Sequence, residues 1–189
     1  MDRVSERLIS LSKGWVTLAG LVVFLLFTAL VLPGQAAQSE ARTGAGRQPD
    51  TSFIYSSADL YDMAEAFGPT GRQAYIRARL TFDVVWPLVY AFFLATSISW
   101  LAGRAFPPGS RWRRLNLAPV AGLVLDYLEN LSTSLVMARY PARTPVADLL
   151  APAFTLLKWV FVGGSFVVLL VVLAATAWRR VAQGQRDRG

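Results

Sequence analysis

Between Leu115 and Met137 the chain reads LNLAPVAGLVLDYLENLSTSLVM, long enough to cross a bilayer at about 1.5 Å per helical residue, yet it carries Asp126, Glu129 and Asn130 inside its apolar run. An acidic residue near the centre of a membrane helix costs roughly 2.5–3.5 kcal/mol, and each Leu or Val returns only about 0.3–0.6. The aliphatic residues therefore do little better than balance the acids, and such a helix needs neighbours that accept its polar side. Spacings of three and four put Asp126, Glu129 and Asn130 on one face, which predicts that they point into a bundle interior or a wet cavity.

The rest of the chain supplies those neighbours. Three further apolar runs span about 15–32, 80–103 and 153–178, and with 115–137 they predict an all-α, polytopic membrane protein. The expected architecture is a single integral membrane domain over 1–189, a four-transmembrane-helix bundle with an extracytoplasmic loop at 33–79. The first run is too long for the apolar region of a secretory signal peptide, so it is read as a retained span ended by Pro33-Gly34, with cleavage after Ala36 or Ala37 as the alternative. Gln35 to Thr51 is small and polar and is expected to be a loop. From Ser56, Leu60, Met63, Ala64 and Phe67 share a side while Asp59, Asp62 and Glu65 stay polar. That pattern predicts a short amphipathic helix within the loop, lying on the membrane or capping the bundle, and broken by Gly68-Pro69-Thr70-Gly71. Arg72 then begins a helix expected to run straight into the second span.

Two ridges of mostly small residues recur every four positions. One runs through Asp83, Pro87, Ala91, Ala95, Ser99 and Gly103, the other through Ala118, Gly122, Asp126, Asn130, Ser134 and Ala138. Small ridges permit close helix approach, and the short Arg-rich connection between the spans makes them antiparallel neighbours, so the two ridges are expected to pack together. Basic residues concentrate in the lead (Arg3, Arg7, Lys13), the second connection (Arg104, Arg111, Arg113, Arg114) and the tail (Arg179, Arg180, Arg186, Arg188). The positive-inside rule then predicts a multi-pass protein of the cell membrane with both termini cytoplasmic.

That orientation brings polar groups of three helices to the outer half of the bundle. Asp126, Glu129 and Asp83 are the candidates for acid/base or other chemistry. Asn130, Arg79, Lys158, Tyr90 and Arg72 are the candidate ligand-binding groups, although a snorkelling Arg79 that neutralises Asp83, and an interfacial Lys158 beside Trp159, are the plainer explanations for those two cations. Cysteine and histidine are absent, which removes disulfides, thiol and imidazole catalysis and the usual zinc, haem and iron–sulfur ligands. No cofactor is expected, and no spacing among Asp83, Asp126 and Glu129 is diagnostic of a divalent metal. The net charge of +7 clusters beside apolar segments, which favours anionic headgroups over nucleic acid as its partners. Three functions fit: a pocket that binds or modifies a lipid-like amphipathic molecule; a structural subunit, in a homo-oligomer or larger membrane complex, whose buried charges hold helices in register; and a proton- or cation-coupled transporter of small solutes.

Overall fold

In a computed structural model that describes residues 2–44 and 47–186, with side chains as far as Arg179, every regular element is helical. The helices are α1 (Asp2–Leu11), α2 (Gly14–Leu26), α3 (Leu32–Thr43), α4 (Ser57–Leu80), α5 (Phe82–Ala105), α6 (Ala118–Arg139) and α7 (Ala147–Arg186). Three helical stretches are long and apolar enough to cross a membrane: Gly14–Thr43, Ser57–Ala105 and Ala147–Arg179. Helix α6 is not among them. Its acids and hydroxyls lower its hydropathy, and they are buried: Asp126, Glu129, Asn130, Thr133 and Ser134 all face protein.

The first apolar run does not stop at Pro33-Gly34, and residues 35–43 are not the loop that their composition suggests. A π-helical turn, Phe27–Val31, joins α2 to α3, and Pro33 falls in the first turn of α3. The proline follows directly on the π-helical turn, where the hydrogen-bond ladder is already widened, so the usual helix breaker is accommodated within a continuous helical stretch. Helix α3 ends at Gly44, whose φ of 81° an L side chain rarely adopts. A 3₁₀ turn, Pro49–Thr51, then returns the chain toward the bundle. Gln48 and Ser52 brace it, with the Gln48 amide donating to Thr43 Oγ1 at 3.1 Å and Ser52 Oγ donating to Gln48 O at 2.7 Å.

Helix α4 opens with a capping box between Ser56 and Asp59 and breaks at Gly68 (φ 62°, ψ 177°), where the sequence signals a break. Arg72 bridges it: its Nη1 donates to Ala64 O at 2.7 Å, a carbonyl left over at the end of the first segment, and its guanidinium lies 4.6 Å from the centre of the Tyr140 ring. The apolar side of that segment, Leu60, Met63, Ala64 and Phe67, packs with Tyr75 against Val136, Met137, Ala147 and Ala151 of α6 and α7. The amphipathic helix thus caps the ends of two long helices. A second break, at Thr81 (φ −123°, ψ −77°), separates α4 from α5, so the segment that starts beyond Gly68 does not run unbroken into the second apolar run.

Helices α6 and α7 pack along each other more extensively than any other pair, and α5 touches α2, α6 and α7. At Gly122 the small ridge of α6 meets α7, while Asp126 of the same ridge meets Tyr90 of α5. A Cβ on Gly122 would lie 2.9 Å from Val162 Cγ2 and 3.6 Å from Phe161 Cβ. Helix α7 also starts earlier than its apolar run suggests: Pro152 is tolerated in its opening turns, and Asp148 lies in the first. At the other end of the bundle α1 is tied to the second connection. Asn116, fully buried, donates to Ser5 O at 3.1 Å and to Ser99 Oγ at 2.9 Å, Ser5 Oγ lies 2.8 Å from Asn116 Oδ1, and Arg113 pairs with Glu6.

Candidate functional site

The start of α5, the middle of α6 and the first half of α7 enclose the polar residues that the sequence singles out. Arg79, 7% exposed, stands at the end of α4 between two carboxylates: its Nη2 is 3.2 Å from Asp50 Oδ2, and its Nε is 3.1 Å from Asp83 Oδ2. The second contact is an ion pair without hydrogen-bond alignment, which leaves Asp83 Oδ2 with no aligned donor. The ring of Tyr75 lies 4.6 Å from the Arg79 guanidinium, and the Tyr75 hydroxyl donates to Thr133 Oγ1 at 3.2 Å. About two helical turns beyond Asp83 on α5, the Tyr90 hydroxyl donates to Asp126 Oδ2 at 2.9 Å, and the Asn130 amide donates to Asp126 Oδ1, also at 2.9 Å. Lys158 of α7 is ion-paired with Glu129, which has no exposure at all.

These groups form one wall of a chamber of about 360 Å³. Its polar lining is Asp50, Thr51, Arg79, Asp83, Asp126 and Lys158; its apolar lining includes Phe24, Phe82, Trp86, Trp159 and Phe166. Phe24 stacks on Trp86 with ring centres 5.7 Å apart, and Trp86 meets Tyr90 edge-on at 5.9 Å, so the aromatic wall is itself packed. A second cavity, of about 410 Å³, adjoins the chamber on the side of α3 and is lined by Gln35, Ser39, Glu40 and Gln48. The two share Leu32, Asp50, Thr51, Arg79, Phe82 and Asp83. The Arg79 cluster is therefore the boundary between a polar vestibule and an aromatic chamber.

Of the residues picked out from sequence, Asp83, Asp126, Glu129, Asn130, Arg79, Lys158 and Tyr90 come together here. Arg72 does not; it serves the Gly68 break. Asp50 is the participant that the sequence reading missed. The 3₁₀ turn carries it across the top of the chamber, where the Trp159 indole donates to its backbone carbonyl at 3.1 Å. Burial alone would raise the Asp50 carboxyl, but Arg79 and Lys158 attract its charged form strongly enough to leave it below the ordinary carboxylate value. No periodicity marks a residue that acts from a single turn, and the Pro-Asp-Thr turn signal is its only trace. Among the described residues no group of three acidic side chains is arranged to hold a metal ion.

Chemically the chamber is mixed. Its lining offers carboxylates and two cations together with aromatic rings, a combination that orients a molecule with one polar and one apolar end. Neither family models, curated proteins nor solved structures provide a match to this chain.

Proposed function

We propose that the chain is one integral membrane domain in which α2, α5, α6 and α7 are four spans, with both termini on the cytoplasmic side of the cell membrane, and that its chamber binds a lipid-like amphipathic molecule. The observation that carries the binding reading is the chamber itself, lined by aromatic rings together with Asp83, Asp126 and Arg79. The four-span reading draws support from the outer side of α6, where Val124, Leu128, Leu131 and Leu135 form an exposed apolar stripe opposite the buried acids. A charged helix of this kind suits a bilayer when its acids are enclosed by protein and its aliphatic side meets lipid.

Native mass spectrometry of the protein released from mild detergent tests the binding. A bound molecule should be present on the wild type and weakened in Trp86→Ala, which removes one of the large aromatic rings that line the chamber. A wild type that carries nothing, and gains no thermal stability from added membrane lipid extract, would overturn the proposal. The Glu129–Lys158 pair favours a structural role for Glu129, which is fully buried and does not line the chamber, whereas Lys158 does.

A further inference from the structure

The charges around the chamber do not balance. Asp50, Asp83, Asp126 and Glu129 face Arg79 and Lys158 alone, and both cations are committed: Arg79 lies between Asp50 and Asp83, and Lys158 is held by Glu129. Asp126 is left without a cation within ion-pair distance among the described residues, and accepts only from the neutral donors Tyr90 and Asn130. A second carboxylate points the same way. Asp83 is 7% exposed, lines the chamber, and has one oxygen with no aligned donor. The rings of Phe24, Trp86 and Phe166 line the same chamber, Trp86 stacked on Phe24 and Phe27, and aromatic rings attract positive charge.

Resting on the reading of the chamber as a ligand site, we propose that its ligand is an organic cation, an amphipathic amine or quaternary ammonium whose charged end meets Asp126 and Asp83 while its apolar end lies on the aromatic wall. A carboxylate and aromatic faces in a low-dielectric enclosure favour such a head far more than water does. An anionic or zwitterionic head would have to compete with carboxylates for Arg79 and Lys158, which already have partners. A neutral head would leave Asp126 with its two neutral donors, Tyr90 and Asn130, and no cation.

Three probes of one shape separate the possibilities: phenylbutyltrimethylammonium, its uncharged isostere in which carbon replaces the nitrogen, and phenylbutanesulfonate. Their affinities are measured by calorimetry on the protein in nanodiscs, against empty nanodiscs. The ammonium should bind at least about tenfold more tightly than the isostere, as a charge-assisted contact implies, and the sulfonate most weakly. Asp126→Asn should fold with an unchanged unfolding temperature and lose most of that preference. Trp86→Leu, which keeps apolar bulk but removes the ring face, should reduce the preference while retaining the isostere's affinity. Equal binding of ammonium and isostere to the wild type would overturn the cationic assignment and leave the chamber as a ligand site; tighter binding of the sulfonate would do the same. Failure of all three probes to bind would sink the ligand-site reading itself.

Discussion

Lys158 of α7 is ion-paired with Glu129 of α6 where the carboxylate has no solvent exposure, and among the described residues Lys158 is the one cation within ion-pair distance of Glu129. Removing one partner of a buried pair strands the other and typically costs about 3–5 kcal/mol, whereas replacing both by apolar groups of similar volume is often neutral. Glu129→Leu and Lys158→Met should each lower the unfolding temperature in detergent sharply, and the double substitution should recover most of the loss. Losses that simply add in the double variant would show that the pair does not fix the α6–α7 register.

Gly122 is a point of close approach between those two helices. An added Cβ meets Val162 Cγ2 at 2.9 Å, nearer than real Cβ contacts come, while Leu123 beside it is only partly buried. Gly122→Leu should therefore cost more than the ~1–3 kcal/mol typical of overpacking, and Leu123→Ile much less. Val162→Ala should partly rescue Gly122→Ala, because it removes the atom in conflict. Rescue by trimming α5 instead would mean that the ridge faces a different helix from the one described.

The Asp50–Arg79 contact should appear in the pH dependence of stability. The Asp50 carboxyl lies below its ordinary value of 3.8 in the folded state, so the unfolded chain binds more protons in acid. Its stabilisation is fully present above that value and is lost as the pH falls through it toward the folded value. The difference in unfolding temperature between wild type and Asp50→Asn should hold constant from neutral pH into mild acid and shrink only below the ordinary carboxylate range. A difference that vanished near neutrality would contradict the depressed carboxyl.

How far the sequence exposed this arrangement depends on the kind of contact involved. Asp126, Glu129 and Asn130 were legible because ionisable groups are rare in apolar runs and helical spacing assigns them a face; Arg79 and Asp83 stood out as an i,i+4 pair. Asp50 was not, since it reaches the site by a turn whose position depends on α3, and α3 itself was hidden behind Pro33-Gly34. Arg72 misled for the opposite reason. Its helical phase matched Arg79, but its partner is the local carbonyl of Ala64, a contact that periodicity does not distinguish from one across the bundle. Gly122 itself meets α7 and not the ridge of the second span that the sequence paired it with, because a small-residue stripe says that a helix can be approached closely and not by which neighbour.

The tie between α1 and the second connection constrains topology and gives the last test. Asn116 is fully buried and bonds to Ser5, Glu6 pairs with Arg113, and Asp2 pairs with Arg114, so the lead and the connection before α6 lie at one end of the bundle. The caps on α6 and α7 formed by α4 belong at the opposite end of the bundle, because α5 separates α4 from that connection. The absence of cysteine makes single-site labelling clean. Ser10→Cys and Trp112→Cys occupy exposed positions near the first group of contacts, and Ala58→Cys and Ala66→Cys occupy exposed positions on α4. With both termini cytoplasmic, a membrane-impermeant maleimide applied to intact cells should label Ala58→Cys and Ala66→Cys, and should reach Ser10→Cys and Trp112→Cys only after permeabilisation. Labelling of all four sites in the reverse sense would invert the orientation while preserving the fold. Labelling of Ser10→Cys and Trp112→Cys from opposite faces could not be reconciled with the buried Ser5–Asn116 contact, and would refute the bundle as described.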